Sequence, residues 1–143
     1  MPLHPALVHF PIALLVVSGG FYVVAVWQNN QPEVPKTAFV LHLLGMIGMV
    51  LAIFSGLQAE GDAQLTEEVD AILGRHEILG YGVLWMYGML YVWHYLRKGK
   101  QTQTEKIIFV LVFVGISLAM LYSASLGGEL VYQHGIGVDI NTP

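Results

Sequence analysis

Cysteine is missing altogether from this 143-residue chain. Its absence excludes disulfides, iron–sulfur ligation, thiolate zinc sites and covalent attachment of c-type haem through Cys-x-x-Cys-His. Charge is scarce as well. Asp, Glu, Lys and Arg together make up 11% of the residues, where a soluble domain carries roughly a quarter. The six basic residues form no patch outside one loop, so nucleic acid is not an expected partner. A basic n-region is also lacking at the start, which reads Met-Pro-Leu-His and continues into an apolar run longer than a signal-peptide core. The first segment is therefore expected to remain as a span and not to be cleaved.

What fills the chain instead is hydrocarbon, with 55% hydrophobic residues. Four apolar runs of about 20 residues, the length that crosses ~30 Å of bilayer core, cover Ala6–Trp27, Ala38–Ala59, Ile78–Leu96 and Ile107–Gly127. None contains Asp, Glu, Lys or Arg. They lack the polar face that a helix of a soluble bundle must present to water. The expected fold is all-α, a four-helix transmembrane bundle forming a single domain over residues 1–143, with the lipid bilayer as its surroundings.

The charges sort the loops. Arg97, Lys98, Lys100 and Lys106 flank the connection between spans three and four, and Lys36 lies in the first connection. These loops are expected on the cytoplasmic side. The second connection holds Glu60, Asp62, Glu67, Glu68 and Asp70, with Arg75 as its basic neighbour. It is expected to face outwards, together with both chain ends. Small residues recur every four positions as Gly48, Ala52, Gly56 and as Gly115, Ala119, Ser123, Gly127, stripes that admit a neighbouring helix or a flat ligand. Of the aromatic residues in span three, Trp85 and Tyr87 are deepest and read as core filling.

Six histidines lie at or near the ends of these runs, and an ionisable ring at such a place is a functional candidate. His4, His9, His76 and His134 fall to the outer end, and His42 and His94 to the cytoplasmic end. His76 and His94 are five turns apart on one helix face, about 27 Å along the axis, so no single metal can touch both. His42 is the natural partner for His94. His9, His4 and His134 are the candidates for His76. Bis-histidine ligation of haem b between helices suits this pattern, with His9, His76, His42 and His94 as ligands for one or two haems and Arg75 placed to pair with propionates. His4, His9, His76, His134 and Glu129 form an alternative, non-haem metal set at the outer face. A chlorophyll-type pigment, which takes one axial imidazole, is a further alternative within a purely structural subunit.

The segments HPALVHFPIALL, from His4 to Leu15, and GGELVYQHGIGV, from Gly127 to Val138, resemble the signatures of the domain of unknown function 2231 family of small bacterial membrane proteins, as does Arg75-His76. The resemblance implies a multi-pass protein of the bacterial inner (cytoplasmic) membrane. It also groups His4, His9, His76, Glu129 and His134 at the outer face, without His42 and His94. Similar modules are associated with c-type cytochrome domains. The expected function is thus electron transfer by a subunit or partner of a respiratory or photosynthetic complex, working with other membrane subunits, a periplasmic c-type cytochrome and quinone. With no room for a substrate domain, a non-catalytic electron-transfer or accessory role is expected over that of a free-standing enzyme.

The cysteine-free background makes the topology directly testable. Asp62→Cys should react with a membrane-impermeant maleimide in intact cells, and Lys100→Cys only after the membrane is opened. The reverse pattern would invert the topology.

Overall fold

In the computed structural model, residues 3–28, 31–60 and 66–136 are described. Five helical segments follow one another: α1 (Leu3–Leu7), α2 (His9–Trp27), α3 (Glu33–Glu60), α4 (Glu67–Arg97) and α5 (Gln103–Tyr132). The first two form one rod, interrupted at Val8. Pro11 has no N–H to give the Leu7 carbonyl, so one bond of the helical ladder is missing there. Among the described residues the architecture is wholly helical. Four rods run alternately up and down, so one end of the bundle gathers the starts of α1 and α4 with the finishes of α3 and α5. This is the terminal end. The opposite end carries Lys36, Lys98, Lys100 and Lys106 and is the lysine end. Asp62 of the acidic connection and the last two residues of the second signature, Gly137 and Val138, lie outside the described residues.

The helix starts are set by local chemistry. Thr66 caps α4 by accepting from the Val69 N–H, and Glu67, Glu68 and Asp70 follow in the first turn, where carboxylates oppose the helix dipole. Thr102 and Glu105 form a reciprocal capping box on α5, and Glu105 also receives Arg97 at 2.6 Å. At the far end of α5, Gly135 adopts φ 66°. That left-handed turn lets Gly135 and Ile136 donate to the Val131 and Leu130 carbonyls.

Three rods are long and apolar enough to cross a membrane: His4–Trp27, Glu33–Ala59 and Gln103–Tyr132. The fourth, α4, is as long, but Tyr, Trp and His side chains lower its hydropathy. Large apolar side chains cover the outside, among them Leu51, Phe54, Leu111, Leu118 and Met89. An exterior of this kind belongs in lipid. Trp85 is on it, 71% exposed, so its reading as core filling is corrected: it lies on the lipid-facing side of α4. Tyr87 does fill the core, fully buried and hydrogen-bonded to Ser117 Oγ at 2.8 Å.

The two hairpins, α1/α2–α3 and α4–α5, repeat one pattern of buried positions. Moving 72 residues along the chain from Pro11, Leu15, Ser18 and Tyr22 gives Val83, Tyr87, Leu90 and His94, and both sets are buried. Moving 71 from Ala38, His42, Met49 and Ala52 gives Phe109, Phe113, Met120 and Ser123, again buried in both. The bundle is thus two similar helical hairpins packed face to face. Within the first hairpin the approach is close: a Cβ on Gly45 would lie 2.5 Å from Leu15 Cγ. Ser18 Oγ donates to the Ala38 carbonyl at 2.8 Å nearby.

Leu15 is fully buried and has nowhere to go, so Gly45→Ala should destabilise the protein by about 1–3 kcal/mol. Gly20, with open space around it, should accept alanine with little change or a small gain. Thermal unfolding of both variants in detergent checks this; equal behaviour would contradict the packing described.

Candidate metal or haem centre at the terminal end

His4 and His76 occupy equivalent places in the two hairpins, 72 residues apart, and their rings meet at the terminal end. Each is held on the second helix of its own hairpin. His4 Nδ1 donates to the Ala52 carbonyl at 2.9 Å and lies 2.9 Å from Ser55 Oγ. His76 Nδ1 donates to the Ser123 carbonyl at 2.8 Å, with Ser123 Oγ at 3.3 Å. A carbonyl can only accept, so Nδ1 carries a proton in both rings. In the neutral ring this leaves the lone pair on Nε2, the tautomer of a ligating histidine whose other nitrogen is fixed by the protein.

Glycine makes both seats. A Cβ on Gly56 would come within 3.1 Å of His4 Cε1, and one on Gly127 within 3.0 Å of His76 Cε1. The small-residue stripes therefore hold imidazole rings at this end: Ala52 and Gly56 take His4, and Ser123 and Gly127 take His76. Farther along α3 the same stripe serves helix packing, with Gly48 against Pro11.

The two ring centroids are 6.5 Å apart and the planes stand at 84°. A five-membered ring with bonds near 1.35 Å has a radius of about 1.1 Å, and imidazole–metal bonds run about 2.0–2.1 Å. Two imidazoles bound end-on from opposite sides of one metal thus have centroids about 6.3 Å apart. The separation of His4 and His76 matches that value.

The other residues expected at this end do not join this pair. His9 is exposed, its Nδ1 donating to the Pro5 carbonyl one turn back at 2.7 Å. Arg75 is exposed beside His76. Glu129 and His134 are half-buried near the end of α5. Among the described residues no group of three or more His, Asp or Glu side chains is arranged to hold a metal ion.

At the lysine end His42 and His94 both pack on Tyr22, with centroids at 6.1 and 5.4 Å. His42 is fully buried, ringed also by Tyr87, Tyr91 and Phe113 at 5.1–5.4 Å. Its Nδ1 is 3.4 Å from Tyr22 OH. Its Nε2, although the Tyr87 backbone is near, makes no hydrogen bond of acceptable geometry. His94 is nearly as buried, against Phe39 and Phe109, and takes a long contact from Gln101 Nε2 at 3.4 Å. The Tyr22 contribution was not visible in the sequence, where it is one aromatic among many. Its one signal is position: it stands in the first hairpin where His94 stands in the second.

No curated protein and no solved structure matches this chain. The sequence pattern of one family does, described as predicted membrane protein (DUF2231), and it covers residues 1–140. The helical rods and the apolar exterior agree with that description, and the chain belongs to the DUF2231 family of membrane proteins.

Proposed function

We propose that this is a four-span membrane electron-transfer protein that holds one haem b at its terminal end, with His4 and His76 as the axial pair. The observation that carries the reading is the His4–His76 geometry: two imidazoles, each fixed through Nδ1, at a separation that suits two ligands on opposite sides of one metal. The donor set distinguishes haem from a bare ion. A zinc or non-haem iron site takes three or four protein ligands, whereas a porphyrin brings four nitrogens and needs only two from the protein. Gly80, one turn along from His76, has open space about it and suits a flat ring. Arg75 beside His76 supplies a guanidinium for the propionates.

When bound, haem b supplies a one-electron redox couple. The chain's own part is to orient the two rings, to keep Nε2 unprotonated and to surround the site with apolar helix. His42 and His94 are given no second haem in this reading, because the aromatic cluster on Tyr22 fills the space around His42. The fourth span is α4, whose outward face, with Trp85, Met89, Val92 and Leu96, is apolar enough for lipid. The terminal end faces outwards and the lysine end the cytoplasm, by the distribution of basic residues. The reading places the electron-transfer partner, a c-type cytochrome, on the outer side, with a membrane subunit or quinone as the other partner.

The purified protein should show low-spin haem bands with about one haem per chain. His4→Ala and His76→Ala should each abolish them, while His9→Ala and His94→Ala keep them. Absence of haem from wild-type protein, pigment bands in its place, or bands that persist in both axial variants would contradict the proposal.

A further inference from the structure

A cavity lies at the lysine end. The ends of α2 and α4 and the starts of α3 and α5 enclose about 370 Å³ there, the size of a small-molecule site. Its deep wall is made of buried rings, Tyr22, His94 and Phe109, with Phe39 half-buried beside them. Its mouth carries side-chain amides: Gln28 and Gln31 are exposed and Gln101 is half-buried. Three lysines also stand at the mouth, and each is already engaged. Lys36 pairs with Glu33 at 2.7 Å, Lys98 lies over the Phe39 ring at 5.7 Å, and Lys106 has a partner as well. The cavity therefore suits a neutral molecule.

His94 gives that molecule a point of recognition. Gln101 Nε2 lies 3.4 Å from His94 Nδ1. An amide nitrogen only donates, so Nδ1 accepts and the neutral ring carries its proton on Nε2. Among the described residues nothing accepts from that N–H. His94 is 8% exposed, stacked on Phe39 at 5.4 Å and packed on Phe109 at 5.1 Å. A donor in such apolar surroundings is costly to leave unpaired, and an acceptor oxygen on a ligand satisfies it. Aromatic walls favour a flat ring, and the amides at the mouth can donate to its outer edge. The cavity opens where apolar rods give way to polar loops, within reach of a molecule dissolved in lipid. A neutral, flat, lipid-soluble ring with carbonyl oxygens on opposite edges is a quinone.

We infer that this cavity binds the head group of a membrane quinone, its ring among Tyr22, Phe39 and Phe109 and one carbonyl oxygen accepting from His94. The choice of a redox-active ring rests on the electron-transfer reading. The cavity itself does not, for His94 is about 27 Å along α4 from His76.

The test uses the full chain in a non-ionic detergent, with menadione as the probe. The chain has no cysteine for this quinone to alkylate. Menadione should raise the thermal unfolding midpoint saturably. 2-Methylnaphthalene, the same rings without the carbonyl oxygens, should bind about tenfold more weakly. His94→Phe keeps a ring in place and removes the N–H. It should weaken menadione binding about fivefold and leave 2-methylnaphthalene unaffected. Val110→Trp, which fills the cavity, should abolish binding of both. Leu111→Trp, on the lipid-facing side and 66% exposed before replacement, should bind as the wild type does. The shift is readable with or without haem, so failure of the terminal site would not obscure it. No saturable shift, equal affinity for the two probes, or a His94→Phe variant that binds menadione as the wild type does would overturn the inference.

Discussion

Two hydrogen bonds hold the terminal end of this molecule together: imidazole N–H of His4 to the Ala52 carbonyl and of His76 to the Ser123 carbonyl. In hydrocarbon a polar ring without a partner is costly, and each bond satisfies its ring while tying the start of one helix to the finish of the next. The same bond selects the tautomer that leaves Nε2 bare. Glycine at positions 56 and 127 leaves room for it, since a side chain there would press against the ring at 3.0–3.1 Å. Hairpin closure and ring orientation therefore depend on one contact made twice.

The twofold repetition sets the two ends of the bundle apart. At the terminal end the equivalent positions carry equivalent chemistry, histidine against histidine and glycine against glycine, and the rings meet across the interface between hairpins. At the lysine end the equivalences break: Tyr22 corresponds to His94, and His42 to Phe113. The result there is a packed aromatic cluster around two imidazoles, roofed by a cationic cavity. One scaffold thus carries a symmetric end, where two imidazoles meet, and an asymmetric end lined by aromatic rings.

Much of the frame was legible in the sequence because lipid leaves few choices. Uncharged runs of spanning length become helices, and three of the four expected spans have helices long and apolar enough to cross. The fourth, α4, spreads Tyr and Trp along its length, so composition alone reads it less clearly. His4 stood among the candidate partners of His76, but sequence spacing could not choose it over His9. The choice follows from their partners: His4 reaches the Ala52 carbonyl on α3, while His9 turns back to the Pro5 carbonyl. The hairpin repeat escaped the sequence because the spacing of buried positions is kept while most identities change. The small-residue stripes located close packing only in part: Gly48, Gly56 and Gly127 are seats, whereas Gly115 faces open space, and a glycine that seats a helix and one that seats an imidazole look alike in sequence.

The 84° angle between the His4 and His76 planes gives the central claim its most direct measurement. An electron paramagnetic resonance spectrum of the oxidised, purified protein should show a strongly anisotropic low-spin ferric signal, the signature of one haem between two imidazoles with perpendicular planes. A high-spin ferric signal, or a low-spin signal unchanged by replacing His4, would contradict it.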